Sequence, residues 1–326
     1  MLLAADVGGT KTLLGLFERG DRRPRAVRIL SYPTAAFDSF AAILDAFARD
    51  LAHPIRVDAA VAGVAGPVVA SRAHLTNIVW NIGEAEIAAH LDTPRVRLVN
   101  DLEALANGVE VLTAEELAVL QAGVPRSDGN AVVIAAGTGL GEAYLLRVNG
   151  RLQPVPSEGG HADFAPRTDR EIELLRMVRG IRGRAEVEHV LSGPGLLTLH
   201  RFTHADHPCG AVSDLTPEAG PAAISQAAMA ASCPVCVEAL GMFVSIYGAE
   251  TGNLALRGVA TAGVYVGGGM APKILPLLRD GRFLEAFGDK GAMAPLVAQM
   301  PVKVILNSEA GLVGAALFAQ EMLDDR

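Results

Sequence analysis

Apolar positions along this chain fall in short runs separated by glycine-rich or charged breaks, and the spacing within each run predicts its element. Residues 1–7 are apolar apart from Asp6, lead into Gly8-Gly9-Thr10-Lys11-Thr12, and are followed by a second apolar run at 13–17 closed by Gly20 and Asp21. Two short runs joined by a glycine turn predict a β-hairpin; a helix after the turn would have suggested a Rossmann or P-loop unit. Phe37, Phe40, Leu44, Phe47 and Leu51 recur at helical spacing with Asp38, Asp45 and Arg49 elsewhere, which predicts an amphipathic helix over 37–51. A buried strand is expected at 59–65, then a loop with polar tips that holds His74, Asn77 and Trp80, then a helix over 84–91. Val96, Arg97, Leu98 and Val99 read as a short strand, and Leu102, Leu105, Ala106, Val109 and Leu112 as the helix after it. Asn100 and Asp101 therefore fall on a strand-to-helix corner.

The pattern then begins again. Residues 130–136 form a near-continuous apolar strand, Gly137-Thr138-Gly139-Leu140-Gly141 is a second glycine-threonine turn, and 143–148 return as a strand. Two hairpins of one design imply an internal duplication into two lobes with a cleft between them. A polar loop with adjacent glycines follows at 154–164, helical segments near 170–178 and from Leu196, and a long Ala-rich helical region at 222–256 broken near Cys233-Pro234. Strands are expected at 263–267, before the triplet Gly267-Gly268-Gly269, and at 302–305; the helix over 311–322 has small residues on one face. Strands alternating with helices make this a mixed α/β chain.

Composition narrows the class. The chain has 326 residues, half of them apolar, enough for two lobes with sizeable cores. Its formal net charge of −8 argues against nucleic acid or an anionic membrane as partner. The arginine-rich stretch at 19–28 reads as a solvated hairpin turn. No stretch approaches the roughly 18 apolar residues of a membrane span, and residues 1–7 lack a signal-peptide pattern, so a cytoplasmic home is expected. Three cysteines do not make a disulfide framework; Cys233-Pro-Val-Cys236 has the spacing of a redox or half-zinc motif, but the sequence shows no second pair and no histidine cluster behind it.

Several positions carry candidate chemistry, each beside a plainer reading. Asn100 and Asp101 can cap a helix, or Asp101 can receive a hydroxyl proton. The two glycine turns can be tight turns, or can offer backbone amides to phosphate oxygens, with Asp6 placed to hold a hydrated magnesium ion. Glu158, His161 and Asp163 can be metal ligands or loop hydrogen-bonding groups. Glu186 and Glu188 flank an apolar position, so one of them can point inward. Gly267, Gly268 and Gly269 can admit a flat ring or a phosphate to the backbone, or make a sharp turn.

Taken in order, DVGGT, LVNDLEA, AAGTGLG, SEGGHADFAP, EHVLSGPGL and YVGGGMAP span nearly the whole chain. Together they resemble the bacterial ATP-dependent glucokinases, hexokinase-type sugar kinases of the actin, sugar kinase and Hsp70 superfamily. The resemblance implies a two-lobed actin-like, ribonuclease H-like α/β fold with duplicated mixed sheets, flanking helices and a central cleft. It places residues 1–110 and 301–326 in a small lobe and 111–300 in a large one. It implies ATP and Mg²⁺ as cofactors, D-glucose as substrate, and a homodimer. Asp6, Val7, Gly8, Gly9 and Thr10 match the first phosphate turn, with Asp6 orienting magnesium through water; Gly137, Thr138 and Gly139 match the second; Gly267, Gly268 and Gly269 match the adenosine turn. Asn77, Asn100, Asp101, Glu158, His161 and Glu188 match the sugar-binding set, and Asp101 the catalytic base. Lys11-Thr12 departs from the Asn-Ala pair common in the group, which leaves a phosphate contact by Lys11 open. The neighbouring ROK family carries a CxCGxxGC zinc cluster soon after the residue matching His161; no cysteine follows here, which disfavours zinc at His161, and the Cys233 pair is expected to be structural. The alternatives are a kinase for fructose, mannose or an N-acetylated hexosamine, a sugar-responsive regulator without catalysis, and a chaperone-type ATPase of the same superfamily. A regulator would need a DNA-binding segment, whereas here the first strand is expected to begin at residue 2 of an acidic chain.

Overall fold

The first hairpin forms as its pattern predicts: β1 (Leu2–Val7) pairs antiparallel with β2 (Lys11–Glu18), and Gly8 N–H donates to the Lys11 carbonyl at 3.1 Å across the turn. The computed structural model describes residues 1–51, 56–75, 80–205 and 207–324. The chain divides into two units, one of Met1–Ala114, Leu152–Pro156 and Asn307–Arg326, the other of Glu115–Arg151 and Ser157–Leu306.

In the first unit the arginine-rich turn leads to β3 (Arg25–Pro33), with Arg25 paired to Glu18 and Arg19 to Asp324 on the surface. Helix α1 (Phe40–Asp50) starts where Ser39 Oγ accepts the Ala42 N–H, and it buries Phe40, Leu44 and Phe47. Phe37, assigned to that helix by its spacing, lies before it, edge-on to Tyr32 with ring centroids 5.8 Å apart. Strand β4 (Ala59–Val64), buried along its length, runs parallel to β1. Around the loop expected at His74 to Trp80, of which residues 76–79 lie outside the described ones, stands a small antiparallel sheet of β5 (Val68–Val69), β6 (Arg72–His74) and β7 (Asn81–Gly83), whose strands the sequence did not mark. Strands of two or three residues are too short to show an alternating pattern. Helix α2 (Glu84–Leu91), β8 (Val96–Asn100) and α3 (Asp101–Gly108) complete the main sheet, whose order is β3-β2-β1-β4-β8.

The C-terminal helix, Ala310–Asp324, packs on β1, β4 and α3 through Leu312, Ala315, Ala316 and Ala319, all buried. Its small residues allow backbone-to-backbone approach to α3. A Cβ on Gly314 would lie 1.8 Å from the Ala104 carbonyl oxygen, and one on Gly108 2.7 Å from that of Ala310. Asn107 Nδ2 donates to the Gly314 carbonyl at 3.2 Å across the same contact. This close packing fixes where α3, and with it Asp101, stands in the unit.

The second unit repeats the hairpin. It opens with β9 (Leu117–Gln121), a strand the apolar pattern did not mark; then β10 (Ala131–Ala136) pairs antiparallel with β11 (Leu140–Val148). Strand β12 (Arg151–Ser157), whose residues Leu152–Pro156 belong to the first unit, occupies part of the region read as a polar loop. Helices α4 (Asp169–Arg182), α5 (Gly193–His204), α6 (Gly220–Met229) and α7 (Pro234–Gly258) follow, α6 and α7 meeting at 106°. Strand β13 (Gly263–Gly267) runs parallel to β10, β14 (Val302–Ile305) parallel to β13, and β9 closes that edge antiparallel. The duplication is thus visible as an antiparallel hairpin whose first strand then takes parallel neighbours, in each unit. The second unit's core gathers on α7, where Phe243, Val244 and Tyr247 are fully buried. Among the described residues no single helix is long and apolar enough to cross a membrane.

Candidate active site

In the first unit the predicted residues Asp6, Val7, Gly8, Gly9 and Thr10 form the end of β1 and its turn. Val7 is buried, and its carbonyl accepts the Ala65 N–H at 3.1 Å. Thr34, which the sequence reading missed, braces the turn. Its Oγ1 donates to the Gly8 carbonyl at 2.8 Å, its N–H donates to the Thr10 carbonyl at 3.0 Å, and its Oγ1 lies 2.9 Å from that of buried Thr12. Asp6 faces the start of the C-terminal helix: a Cβ on Gly311 would lie 3.6 Å from Asp6 Oδ2. Burial pushes the Asp6 pKa above its ordinary value, and the charge of Lys11 pulls it back in part. No hydrogen-bond partner for this carboxylate is found among the described residues, so its charge is poorly compensated by the protein.

Asn100 and Asp101 occupy the β8–α3 corner. Asn100 is the N-cap: its Oδ1 accepts the Leu102 N–H at 2.9 Å and its Nδ2 donates to the Gly66 carbonyl at 3.2 Å. Asp101 Oδ1 also takes the Leu102 N–H at 2.9 Å. The corner can approach β4 because Gly63 has no side chain; a Cβ there would lie 3.6 Å from Asp101 Cα and 3.1 Å from Ala104 Cβ. Capping is therefore real, and it holds the carboxylate in place. Asn77 lies outside the described residues.

In the second unit the other two glycine turns are brought together. Gly137 N–H donates to the Gly139 carbonyl at 2.9 Å, and the Gly137 carbonyl accepts Gly193 N–H from the start of α5 at 2.8 Å. Nothing lies within 4 Å of a Cβ built on Gly137, so that face of the turn is open. Met270 N–H reaches the Ala136 carbonyl at 3.2 Å, joining the triplet to the end of β10. Gly268 has φ +82°, and a Cβ there would lie 2.3 Å from the Ala136 oxygen, so glycine is needed for backbone reasons; Gly269 is open. Tyr247, a second residue not found from sequence, ties both strand ends: its hydroxyl accepts the Ala136 N–H at 3.2 Å and donates to the Gly267 carbonyl at 3.1 Å. A tyrosine within an apolar helical stripe reads as core, so nothing in the sequence marked its hydroxyl.

Glu188 meets the Gly139–Leu140 end of the turn as well. Glu188 Oε2 accepts the Leu140 N–H at 2.8 Å, and a Cβ on Gly139 would lie 2.6 Å from that oxygen. Glu158, exposed, precedes the 3-10 turn Gly159–His161. His161 Nδ1 lies 2.9 Å from Glu186 Oε2. That hydrogen bond raises the His161 pKa; partial burial opposes it, and the charges of Glu188, Glu186 and Glu158 add to it. The imidazole is thus hydrogen-bonded to one carboxylate and feels the charge of two more, a grouping of donors and acceptors. Of the two glutamates flanking Val187, both are used: Glu186 on His161, Glu188 on the glycine turn. Asp163 is held instead by Arg184, whose Nε donates to its Oδ1 at 2.8 Å.

Beneath the Glu158–His161 loop lies an unexpected acid. Glu142 on β11 has a fully buried side chain, neither oxygen is hydrogen-bonded, and Arg257 Nη1 is 3.9 Å away. A Cβ on Gly159 would fall 2.1 Å from Glu142 Oε2, which is why glycine follows Glu158. Burial first, and the charge of Glu250 second, push the Glu142 pKa from 4.5 up to about 7 against the pull of Arg257. The native chain therefore keeps a proton that the unfolded chain gives up above 4.5, and stability falls as pH rises from 4.5 to about 7. Glu142→Gln is expected to be more stable than wild type above that window, by about 3 kcal/mol at most, and to match it below. Urea unfolding of both proteins at the two ends checks this; a difference independent of pH would remove the titration as its cause.

The glucokinase family model matches residues 3–322. A curated glucokinase from a Nostoc species is 38% identical, with 99% of each chain covered. The crystal structure of a glucokinase from an Antarctic psychrotroph superimposes with a TM-score of 0.86 at 30% identity, covering 98% of each chain. A ROK-family glucokinase from Streptomyces griseus, solved with glucose and AMPPNP, has a TM-score of 0.67 at 23% identity, over 98% of this chain and 99% of that one, and shows a shared fold.

Proposed function

Since the chain belongs to the glucokinase family, we propose that it transfers the γ-phosphoryl group of ATP to the 6-hydroxyl of D-glucose, with Asp101 taking the hydroxyl proton. The observation that carries the reaction is the family match over nearly the full length, with a glucokinase relative at 38% identity. What supports the base is the corner itself. The start of α3 favours an ionised carboxylate, and the hydrogen bond from the Leu102 N–H to its Oδ1 keeps Asp101 from turning away. A carboxylate is a weak base, but the phosphoryl transition state is loose, so positioning and charge neutralisation carry most of the catalysis.

The remaining roles follow from what each group can do. Glu158, His161 and Glu188, with Asn100 and Asn77, bind sugar hydroxyls, each of which both donates and accepts. An analogue lacking one hydroxyl would leave a buried partner unpaired, which discriminates strongly. The turns at 8–10 and 137–139 take ATP phosphates, and Gly267, Gly268 and Gly269 take adenosine, where the open face at Gly269 leaves room. Bound Mg²⁺ neutralises phosphate charge. Asp6 fits it, because a poorly compensated carboxylate would accept hydrogen bonds from the waters that the ion keeps. The same reading makes the enzyme a cytoplasmic homodimer of glucose catabolism.

ADP release measured with ATP and magnesium over glucose, fructose, mannose and N-acetylated hexosamines tests the assignment. The largest kcat/KM is expected for glucose. A larger value for another sugar would move the substrate, and sugar-independent turnover would replace the kinase with an ATPase.

A further inference from the structure

The Cys233-Pro-Val-Cys236 pair, with no histidine cluster near it in sequence, acquires one in the fold. His200 and His204 stand one turn apart at the end of α5, Cys209 follows in the connecting segment, and Cys233 and Cys236 open α7. One donor atom from each of His200, His204, Cys209 and Cys236 lies within 4.8 Å of the others. Cys233 joins them: its Sγ is 3.6 Å from His204 Nε2 and 3.9 Å from Cys209 Sγ, while Cys209 Sγ is 3.6 Å from Cys236 Sγ.

These separations are those of a coordination sphere. Zinc–sulfur bonds of about 2.3 Å and zinc–nitrogen bonds of about 2.0–2.1 Å, set at tetrahedral angles, put sulfurs about 3.8 Å apart and sulfur about 3.5 Å from nitrogen. A disulfide would need sulfurs about 2.05 Å apart, and all three cysteines are free.

The surroundings orient the donors. His204 Nδ1 lies 2.9 Å from the His200 carbonyl oxygen. A carbonyl only accepts, so Nδ1 carries the hydrogen and Nε2 presents its lone pair on the thiol side, the arrangement that fixes metal-bound imidazoles. The His200 ring stacks on His204 with centroids 3.9 Å apart, and its buried Nε2 has no hydrogen-bond partner. Cys236 N–H points at Cys233 Sγ at 3.5 Å.

We propose that Cys209, Cys233, Cys236 and His204 form a closed structural zinc site that clamps the end of α5 to the start of α7. Three thiolates and an imidazole are a soft donor set that suits zinc over magnesium or calcium. Four protein ligands leave no open position, so the ion is structural. Its place gives it a purpose: the far end of α5 holds Gly137 through Gly193, and α7 carries Tyr247, so the clamp steadies both glycine turns of this unit.

Metal analysis of the purified full-length chain is expected to find about one zinc per chain, with thiols slow toward a disulfide reagent until a strong chelator is added. Refolding or exchange with Co²⁺ alone is expected to give thiolate-to-cobalt charge-transfer bands and tetrahedral d–d bands. Cys209→Ser and Cys236→Ser should lose the zinc, and His200→Ala should keep it. Chelation of wild type should lower Tm, a readout that needs no variant to fold. Wild-type protein that carries no zinc, shows no cobalt–thiolate bands and has freely reactive thiols or an internal disulfide would overturn the site. Zinc lost from His200→Ala but retained by His204→Ala would overturn the ligand assignment.

Discussion

Asp101→Ala is expected to lower kcat by about 10²–10⁴-fold, the usual weight of a general base, while the glucose KM stays within about tenfold of wild type. The fold should persist, because Asn100 Oδ1 still accepts the Leu102 N–H that Asp101 shares, so the start of α3 stays capped. In the proposed role, removing the carboxylate would leave the sugar's 6-hydroxyl proton without its acceptor and remove a negative group that orients the attacking oxygen. Both losses fall on the transition state, so kcat and kcat/KM should fall together. Steady-state kinetics with a coupled ADP assay, alongside circular dichroism to establish folding, reads the result. Turnover near wild type in a folded Asp101→Ala protein would sink the base assignment. A large rise in KM with little change in kcat would make Asp101 a binding residue instead.

Gly314→Ala is expected to cost about 3 kcal/mol or more of stability, at the top of the range for overpacking. The added Cβ would stand 1.8 Å from the Ala104 carbonyl oxygen, 2.8 Å from its carbon and 2.8 Å from Gly108 N. Backbone atoms cannot rotate away as a side chain would, so the C-terminal helix and α3 must separate. That movement also breaks the Asn107 hydrogen bond to the Gly314 carbonyl and displaces the corner bearing Asp101. Gly180→Ala is the matched control: it lies in α4, nothing is within 4 Å of its built Cβ, and helix propensity favours alanine by up to about 1 kcal/mol. Thermal or urea unfolding should move the two variants in opposite directions. Equal stability for Gly314→Ala and wild type would show that the helices do not depend on this contact.

The glycine turns and the Asn100–Asp101 corner were legible in the sequence because each breaks a clear apolar run with residues of special conformation or charge. Helix α2 was read at its observed bounds, and β4, β10, β13 and β14 as strands, for the same reason. Strand β9 was missed because its edge position leaves Val119 exposed, so no buried run marks it. Thr34 and Tyr247 were missed because a hydroxyl bracing a distant turn leaves no local pattern; Thr34 lies 26 residues from Gly8, and Tyr247 111 from Ala136. Glu142 alternates with its strand neighbours like any polar residue, and only the packing of Gly159 over it shows that it is buried and orphaned.

The reading of Cys233 and Cys236 shows the division most clearly. Local spacing identified a pair able to hold half a metal site, the pattern of strands and helices indicated the α/β class, and motif order named candidate phosphate and sugar residues. Whether the pair had partners was a question of distances between segments. Cys209 is 24 residues from Cys233, and His204 is 29 from it. Only the packing of α5 against α7 brought these side chains within coordination distance, because chain separation says nothing about spatial separation once buried apolar faces dictate which helices meet. The amino-acid order determined which chemical groups the protein owns and where the backbone turns; the tertiary structure decided which of those groups face one another.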